Sequence, residues 1–354
     1  MYRVKFSFIF RAILLVIAFV CVLELSLRIS SYPASYTDLF KFDNELGYRL
    51  APGEHSFFTG DREYSVFIND QGVLDQAGEG KSQVIILGDG VVSGLELPPE
   101  DRLGFLVAKN TGYNTVNLSV PGYGTVQQLI ALRLWLQKNE APKHVYIIYN
   151  FSNDYYDNVQ AWEGVRVPSI MGNKAGTKIV LPENPSILGK LVRYVVWNSR
   201  IYSFYSQATI STENHQQFPL QQRWLFSHEP PDESKLGDEA TLLSSVEIGR
   251  LAKQYGFTLT WIGWRDLPLE QMEELSGDKA INKIITFVGE NGIWKKDLHN
   301  ITLENKDILK WENQWLHPQT RHASAAAVDL IAQEISLTLK SSKCAACIRA
   351  SRKQ

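Results

Sequence analysis

The chain has 354 residues, of which 44% are hydrophobic, with 9 Trp, 15 Tyr and 16 Phe, enough for a sizeable core in one large α/β domain with insertions. Its 36 basic and 38 acidic residues leave a formal net charge of −2, which excludes an electrostatic case for nucleic acid or for a polybasic membrane patch. Three cysteines exclude a disulfide framework.

In chain order, Arg3, Lys5 and Arg11 precede the apolar run Ala12–Leu23, which is broken by Glu24 and Arg28. Counted from Phe6 to Leu27, with Arg11 reaching back to the interface, the run meets the ~20 residues that a bilayer needs. No small-x-small cleavage site follows. Residues 1–29 therefore read as an uncleaved single-pass anchor, with a cleaved signal and a buried terminal helix as the alternatives. Basic residues before the span predict a cytoplasmic N-terminus and a main domain outside the cytoplasm, periplasmic or on the cell surface. Cys21 falls inside the span as a small apolar residue.

Residues 30–80 are polar and aromatic-rich, with short strand patterns at Leu46–Leu50 and Tyr64–Asn69, and read as a small β-rich stalk or subdomain. From Lys81 strands and helices alternate. Strand Val84–Leu87, a helix near Leu103–Lys109, strand Thr115–Leu118, helix Val126–Lys138 and strand His144–Tyr149 follow one another. That alternation predicts a parallel sheet covered on both faces, an α/β fold over residues 81–340. Residues 155–235 interrupt the rhythm and read as a cap insertion, partly helical around Ile187–Thr209. A helix near Ala240–Tyr255, strand Phe257–Ile262 and a final helix at about Arg321–Leu339 complete the domain, leaving a tail of 341–354. Cys344 and Cys347 sit in that tail without the context of a thioredoxin or zinc site and read as inert, open to a local disulfide outside the cell.

Four short pieces stand out: Gly88-Asp89-Gly90, Asn117-Leu-Ser119-Val-Pro-Gly122, Ser152-Asn153-Asp154 and Gln314-Trp315-Leu-His317-Pro318. Three fall at successive predicted strand ends and the fourth before the last helix. In open α/β sheets such strand ends converge on one crevice. In this order the pieces resemble the SGNH (GDSL-type) hydrolase family, over about Val84 to Ile335. The resemblance implies a three-layer, flavodoxin-like fold and acyl transfer through a serine, with a histidine base, an Asp to orient it and an oxyanion hole.

Carried onto this chain, the resemblance assigns the oxyanion donors to the backbone N–H groups of Gly90 and Gly122 and the amide of Asn153. It makes His317 the base, with Asp89, Ser119, Asp154 and Trp315 as neighbours. Two members depart: Gly90 occupies the nucleophile position and Gln314 the Asp position. Loss of a catalytic serine costs about 10⁶-fold in a worked subtilisin case. An amide in place of the triad Asp costs about 10⁴-fold. A serine mechanism at position 90 is therefore excluded. Ser93, Ser119 and Ser152 as substitute nucleophiles, and Glu312 as a substitute partner of His317, are weaker alternatives.

The turn Gly88-x-Gly90-x-x-x-Gly94 also resembles a dinucleotide loop, but the next strand ends in Asn117-Leu-Ser119 without the acidic residue that a ribose needs. No cofactor is expected. The histidines other than His317 show no ligand spacing, so no metal is expected either. Trp135 and Trp261 have core spacing, whereas Trp162, Trp197 and Trp224, with Trp311 and Trp315 beside His317, are candidate sugar platforms.

By resemblance the substrate class is an acylated envelope or secreted polysaccharide, or another ester-bearing small molecule. The expectation is a degenerate member that binds such a ligand. A residual esterase or O-acyltransferase and a non-catalytic scaffold in polysaccharide assembly are the alternatives.

Overall fold

The computed structural model describes residues 2–30, 39–58, 63–77, 80–150, 153–159, 167–173, 176–182, 186–189, 191, 199–202, 204, 232–264, 293–295 and 323–351. The chain forms two compact units, one of Met1–Phe40, Glu54–Val66 and Asn184–Gln217, the other of Lys41–Gly53, Phe67–Glu183 and Phe218–Gln354.

In the first unit, helix α1 (Tyr2–Ile29) is continuous through the apolar run. From Phe8 to Ile29 it has a mean hydropathy of 2.7 and is long and apolar enough to cross a membrane. Its side chains there are exposed except for half-buried Glu24 and Leu27. Strands β3 (Gly53–Phe58) and β4 (Glu63–Ile68) pair with each other.

The second unit is built on a six-stranded sheet. The strands outside it are β1 (Phe40–Asp43), β2 (Gly47–Leu50) and the antiparallel pair β9 (Ser169–Asn173) and β10 (Gly176–Val180). The sheet holds β5 (Asp75–Ala77), β6 (Val84–Leu87), β7 (Thr115–Asn117), β8 (His144–Asn150), β11 (Thr258–Trp264) and β12 (Ile293–Lys295), in the order β12-β11-β8-β6-β7-β5. The five strands from β6 to β12 in the sheet pair in parallel, and β5 adds an antiparallel edge on β7. Counted from β6, the parallel strands lie second, first, third, fourth, fifth, which is the flavodoxin-like order. The order reverses between β6 and β8, and their carboxyl ends therefore flank the switch point.

The four residues of β6 are fully buried, as a central parallel strand with both faces covered requires. Val84 and Ile86 share one core with Tyr146 and Ile148 of β8 and with Leu103 and Val107 of helix α2 (Leu103–Thr111). Ala327, Val328, Ile331, Ala332, Ile335 and Leu339 of the last described helix, α6 (Ala325–Ser351), close that layer at helical spacing. By alternation Ile85 and Leu87 point to the opposite face. On that side α3 (Thr125–Lys138) packs on α5 (Asp232–Tyr255), and α5 packs on β11 and on the short α4 (Asp154–Asp157).

Differences from the sequence reading concern extents and edges. Helix α6 runs Ala325–Ser351, well past Leu339 and through the segment read as a tail, because nothing from Lys340 to Ser351 is a Pro or a Gly. Strand β5, from the segment read as a stalk, is part of the main sheet. The insertion divides: β9 packs on α5 in the second unit, whereas the described residues from Ser186 to Phe204 belong to the unit of α1. Trp261 and Trp135 are buried, as their spacing predicts.

Candidate functional site

Strand β6 delivers Gly88-Asp89-Gly90 to the switch point. Gly88 is a glycine because of crowding: a Cβ there would lie 2.6 Å from Val92 Cγ2, 3.2 Å from Ser119 Oγ and 3.3 Å from the Ile148 carbonyl. Asp89 caps the short 3₁₀ turn Gly90–Val92, its Oδ1 accepting the Val91 N–H at 2.9 Å. Gly90 is buried, and its carbonyl accepts from the Ser93 N–H (3.3 Å) and the Ser93 hydroxyl (3.1 Å). Ser93 is thus bound into the turn. Gly90 is not among the glycines with positive φ, so its backbone is one that L side chains adopt.

Strand β7 places the second piece beside the first. The Leu118 N–H donates to the Ile86 carbonyl (2.8 Å), and Asn117 Nδ2 donates to the Val92 carbonyl (2.8 Å). Asn117 Oδ1 accepts the Ser119 N–H at 3.1 Å, and the buried Ser119 Oγ has no hydrogen-bond partner among the described residues. Gly122 follows with φ +74°, the left-handed conformation that this turn demands. The turn is braced from β2: Tyr48 Oη donates to the Pro121 carbonyl (2.9 Å) and Tyr123 Oη to the Tyr48 carbonyl (2.7 Å). Burial raises both phenols well above their ordinary range, so they stay neutral donors.

Strand β8 brings the third piece. Asn150, at its end, donates from Nδ2 to Asp89 Oδ2 (3.2 Å) across the switch point, and its N–H donates to Asp154 Oδ2 (3.2 Å). Gln128 of α3 adds Nε2 to the same Asp154 oxygen at 3.4 Å. Asn153 precedes α4, and its Nδ2 donates to Asp157 Oδ2 at 2.8 Å. The amide that the resemblance assigns to an oxyanion is therefore engaged by a carboxylate.

These bonds assemble a cluster that the sequence reading did not contain. Asp89, Asp154 and Asp157 are all buried, and one oxygen from each lies within 4.8 Å of the others. Oxygen is the ligand type that hard cations take, whereas the expectation of no metal rested on histidine spacing. Acceptors crowd the site: Asp154 Oδ1, Gln128 Oε1 and Asn153 Oδ1 are buried without a hydrogen-bond partner among the described residues. Burial, then the Asp89 charge, then Asp157, push the Asp154 carboxyl well above the usual carboxylate range. Burial and Asp89 do the same to Asp157. A proton on either carboxyl turns a surplus acceptor into a donor.

A carboxyl whose pKa is raised on folding binds more proton in the folded than in the unfolded chain, between the unfolded value near ~3.9 and the folded one. Its contribution to stability is largest at the acid side of that window and is lost as pH rises through it. Asp154→Asn mimics the protonated acid, keeping an acceptor for the Asn150 N–H and the Gln128 amide. It should raise the neutral-pH melting temperature and flatten the fall of Tm with rising pH. An unchanged slope in melting curves across that range would show Asp154 to be ionised in the fold.

Of the residues assigned by resemblance, Gly90, Asp89, Ser119, Gly122 and Asn153 lie in the turns after β6, β7 and β8, and Asp154 opens α4. His317, Gln314, Trp315, Ser152, Glu312, Trp162, Trp197, Trp224 and Trp311 lie outside the described residues. The sequence reading missed Asn150, Gln128, Asp157 and Tyr48 as site residues. Asp157 had a signal, since it follows Asp154 by one helical turn. A cleft of about 310 Å³ lined by Gln71, Gln76, Lys81, Trp135 and Glu140 is at the opposite, amino ends of β6 and β8 and is separate from this site.

No family model and no curated protein matches the chain. Solved structures give weak likenesses. Esterase EstA from Pseudoalteromonas sp., in a structure inhibited by monoethylphosphonate, is 11% identical, with a TM-score of 0.37 over 73% of this chain and 96% of that one. The acetyl xylan esterase Est2A from the rumen bacterium Butyrivibrio proteoclasticus is 12% identical, with a TM-score of 0.36 over 83% and 72%. A carbohydrate esterase described as having divergent catalytic and non-catalytic binding functions in its active site is 9% identical, with a TM-score of 0.36 over 81% and 73%. Likeness at this level carries no statement about chemistry.

Proposed function

We propose that this chain is a membrane-anchored, SGNH-hydrolase-like protein facing out of the cytoplasm, and that it binds an acylated envelope or secreted polysaccharide, or another ester-bearing small molecule, without a serine-dependent turnover. The observation that carries the reading is Gly90: the turn at the carboxyl end of β6, beside the switch point, has no hydroxyl where this chemistry places its nucleophile. The neighbouring hydroxyl of Ser93 is bonded to the Gly90 carbonyl. The Ala323 N–H donates to the Val91 carbonyl (3.1 Å), which brings the chain back to this turn six positions after His317.

In this reading the backbone N–H groups of Gly90 and Gly122 polarise the bound ester carbonyl, and His317 is a binding group with no hydroxyl to deprotonate. Hydrolysis of p-nitrophenyl acetate should be negligible and unchanged by His317→Ala. Turnover at ordinary enzyme rates, roughly 1–10³ s⁻¹, would instead establish an esterase or acyltransferase with another nucleophile.

One observation favours a second reading, a non-catalytic scaffold in polysaccharide assembly. The Asn153 amide gives one of its two N–H donors to Asp157, which ties it to α4 and not to a ligand. Binding of acetylated oligosaccharide to the purified chain, measured by calorimetry and compared with the deacetylated sugar, separates the two. The scaffold reading expects no heat from either.

A further inference from the structure

Glu24 is an anomaly in α1. It is an acid within the apolar stretch Phe8–Ile29, and a carboxylate near hydrocarbon persists only when it is paired and hydrogen-bonded. Its partners come from the insertion. Glu24 Oε1 accepts the Arg200 N–H (3.0 Å), and Oε2 accepts the Ile201 N–H (3.1 Å) and the Ser199 hydroxyl (3.0 Å). Arg28, one turn on, donates Nε to Oε1 at 2.8 Å. Ser199 Oγ in turn accepts the Tyr202 N–H at 3.2 Å. The backbone donors opening this helical turn are thus answered by a residue of the membrane helix, as helix starts require.

The same part of the insertion presents large apolar side chains outward. Ile187 is 89% exposed, Leu188 69%, Leu191 57% and Phe204 51%. Four large apolar side chains exposed within one segment mark an interaction surface, unlike an apolar residue exposed singly. They belong to the compact unit that also contains α1 and its exposed apolar side chains. At 1.5 Å per residue Glu24 lies about 24 Å along the helix from Phe8, near the far boundary of a ~30 Å hydrocarbon layer. That is the depth at which amphipathic elements rest.

We infer that Ile187, Leu188, Leu191 and Phe204 rest in the interface of the bilayer that α1 crosses, held there by the Glu24 carboxylate. The inference rests on α1 being a span. It makes the insertion a membrane-lying element and gives the anchor a second point of attachment, which restricts the freedom of the chain that follows.

The test uses the full chain carrying Cys21→Ala, Cys344→Ala and Cys347→Ala, reconstituted in liposomes of phosphatidylethanolamine and phosphatidylglycerol. Nitroxide labels are attached singly through Leu188→Cys, Val16→Cys or Lys253→Cys, and collisions with oxygen and with a water-soluble nickel chelate are compared. The label at 188 should fall between those at 16 and 253, with an oxygen-to-nickel ratio several-fold above that at 253. Adding Glu24→Ala should move the 188 label toward the water-like ratio. A lipid-like 16 with a water-like 188 overturns the inference and leaves the span intact. A water-like 16 overturns the span and the inference with it. A 188 label shielded from both reagents means a protein contact, such as a second copy, and also overturns it. A 188 label unmoved by Glu24→Ala removes Glu24 as the tether.

Discussion

Gly90→Ser combined with Gln314→Asp should convert the chain into a measurable esterase, with a gain that exceeds the product of the two single gains. The backbone supports the first change, because Gly90 is not in the left-handed region and Asp89 holds the turn through the Val91 N–H. Gly90→Ser alone should give little, since Gln314 can hold His317 but supplies no charge to stabilise an imidazolium. The missing serine corresponds to about 10⁶-fold and the missing carboxylate to about 10⁴-fold, and the parts act as a unit, so the excess over multiplicativity is the diagnostic quantity. Adding Asn153→Ala to the active double variant should cost about 10²–10³-fold if the amide leaves Asp157 for the oxyanion. No loss on that change would show that Asn153 stays with Asp157. A folded double variant without activity would favour the scaffold reading.

The second large effect is all-or-none. A periplasm-dependent phosphatase fused after Gln354 should be active, and a reporter that works only in the cytoplasm should be silent at the same site. This expectation rests on Arg3, Lys5 and Arg11 at the amino end of α1, since basic residues on that side of a span favour a cytoplasmic N-terminus. The opposite pattern would contradict both the orientation and the glycan ligand, since acylated envelope polysaccharide would lie across the membrane from the site.

The parts of the fold governed by local periodicity were legible. The apolar strand Val84–Leu87, the alternation after it and the helix over 126–138 all follow from burial on both faces of a parallel sheet. The edge strands β5 and β12 were not: each has three residues and pairs on one side only, so neither has the apolar run of a strand covered on both faces. At the site, the turn residues were legible because Gly-Asp-Gly and Pro-Gly-Tyr-Gly have their own chemistry. The acidic cluster was not. Asp89 and Asp154 meet only because β6 and β8 are neighbours, although Asn150, which bridges them, lies 61 positions from Asp89. Tyr48 was hidden in the same way, since it braces Pro121 from 73 positions away. The division of the insertion depends on Glu24 contacts that span 175 to 177 positions, which no local pattern encodes.

On the proposed function, the turn after β6 is an acyl-transfer site emptied of its nucleophile. Reaction with a fluorophosphonate, followed by mass-spectrometric mapping of any adduct, tests it most directly. No adduct is expected on the native chain, and an adduct is expected at position 90 once Gly90→Ser and Gln314→Asp are both introduced. Stoichiometric labelling of the native chain at Ser93, Ser119, Ser152 or any other hydroxyl would contradict it.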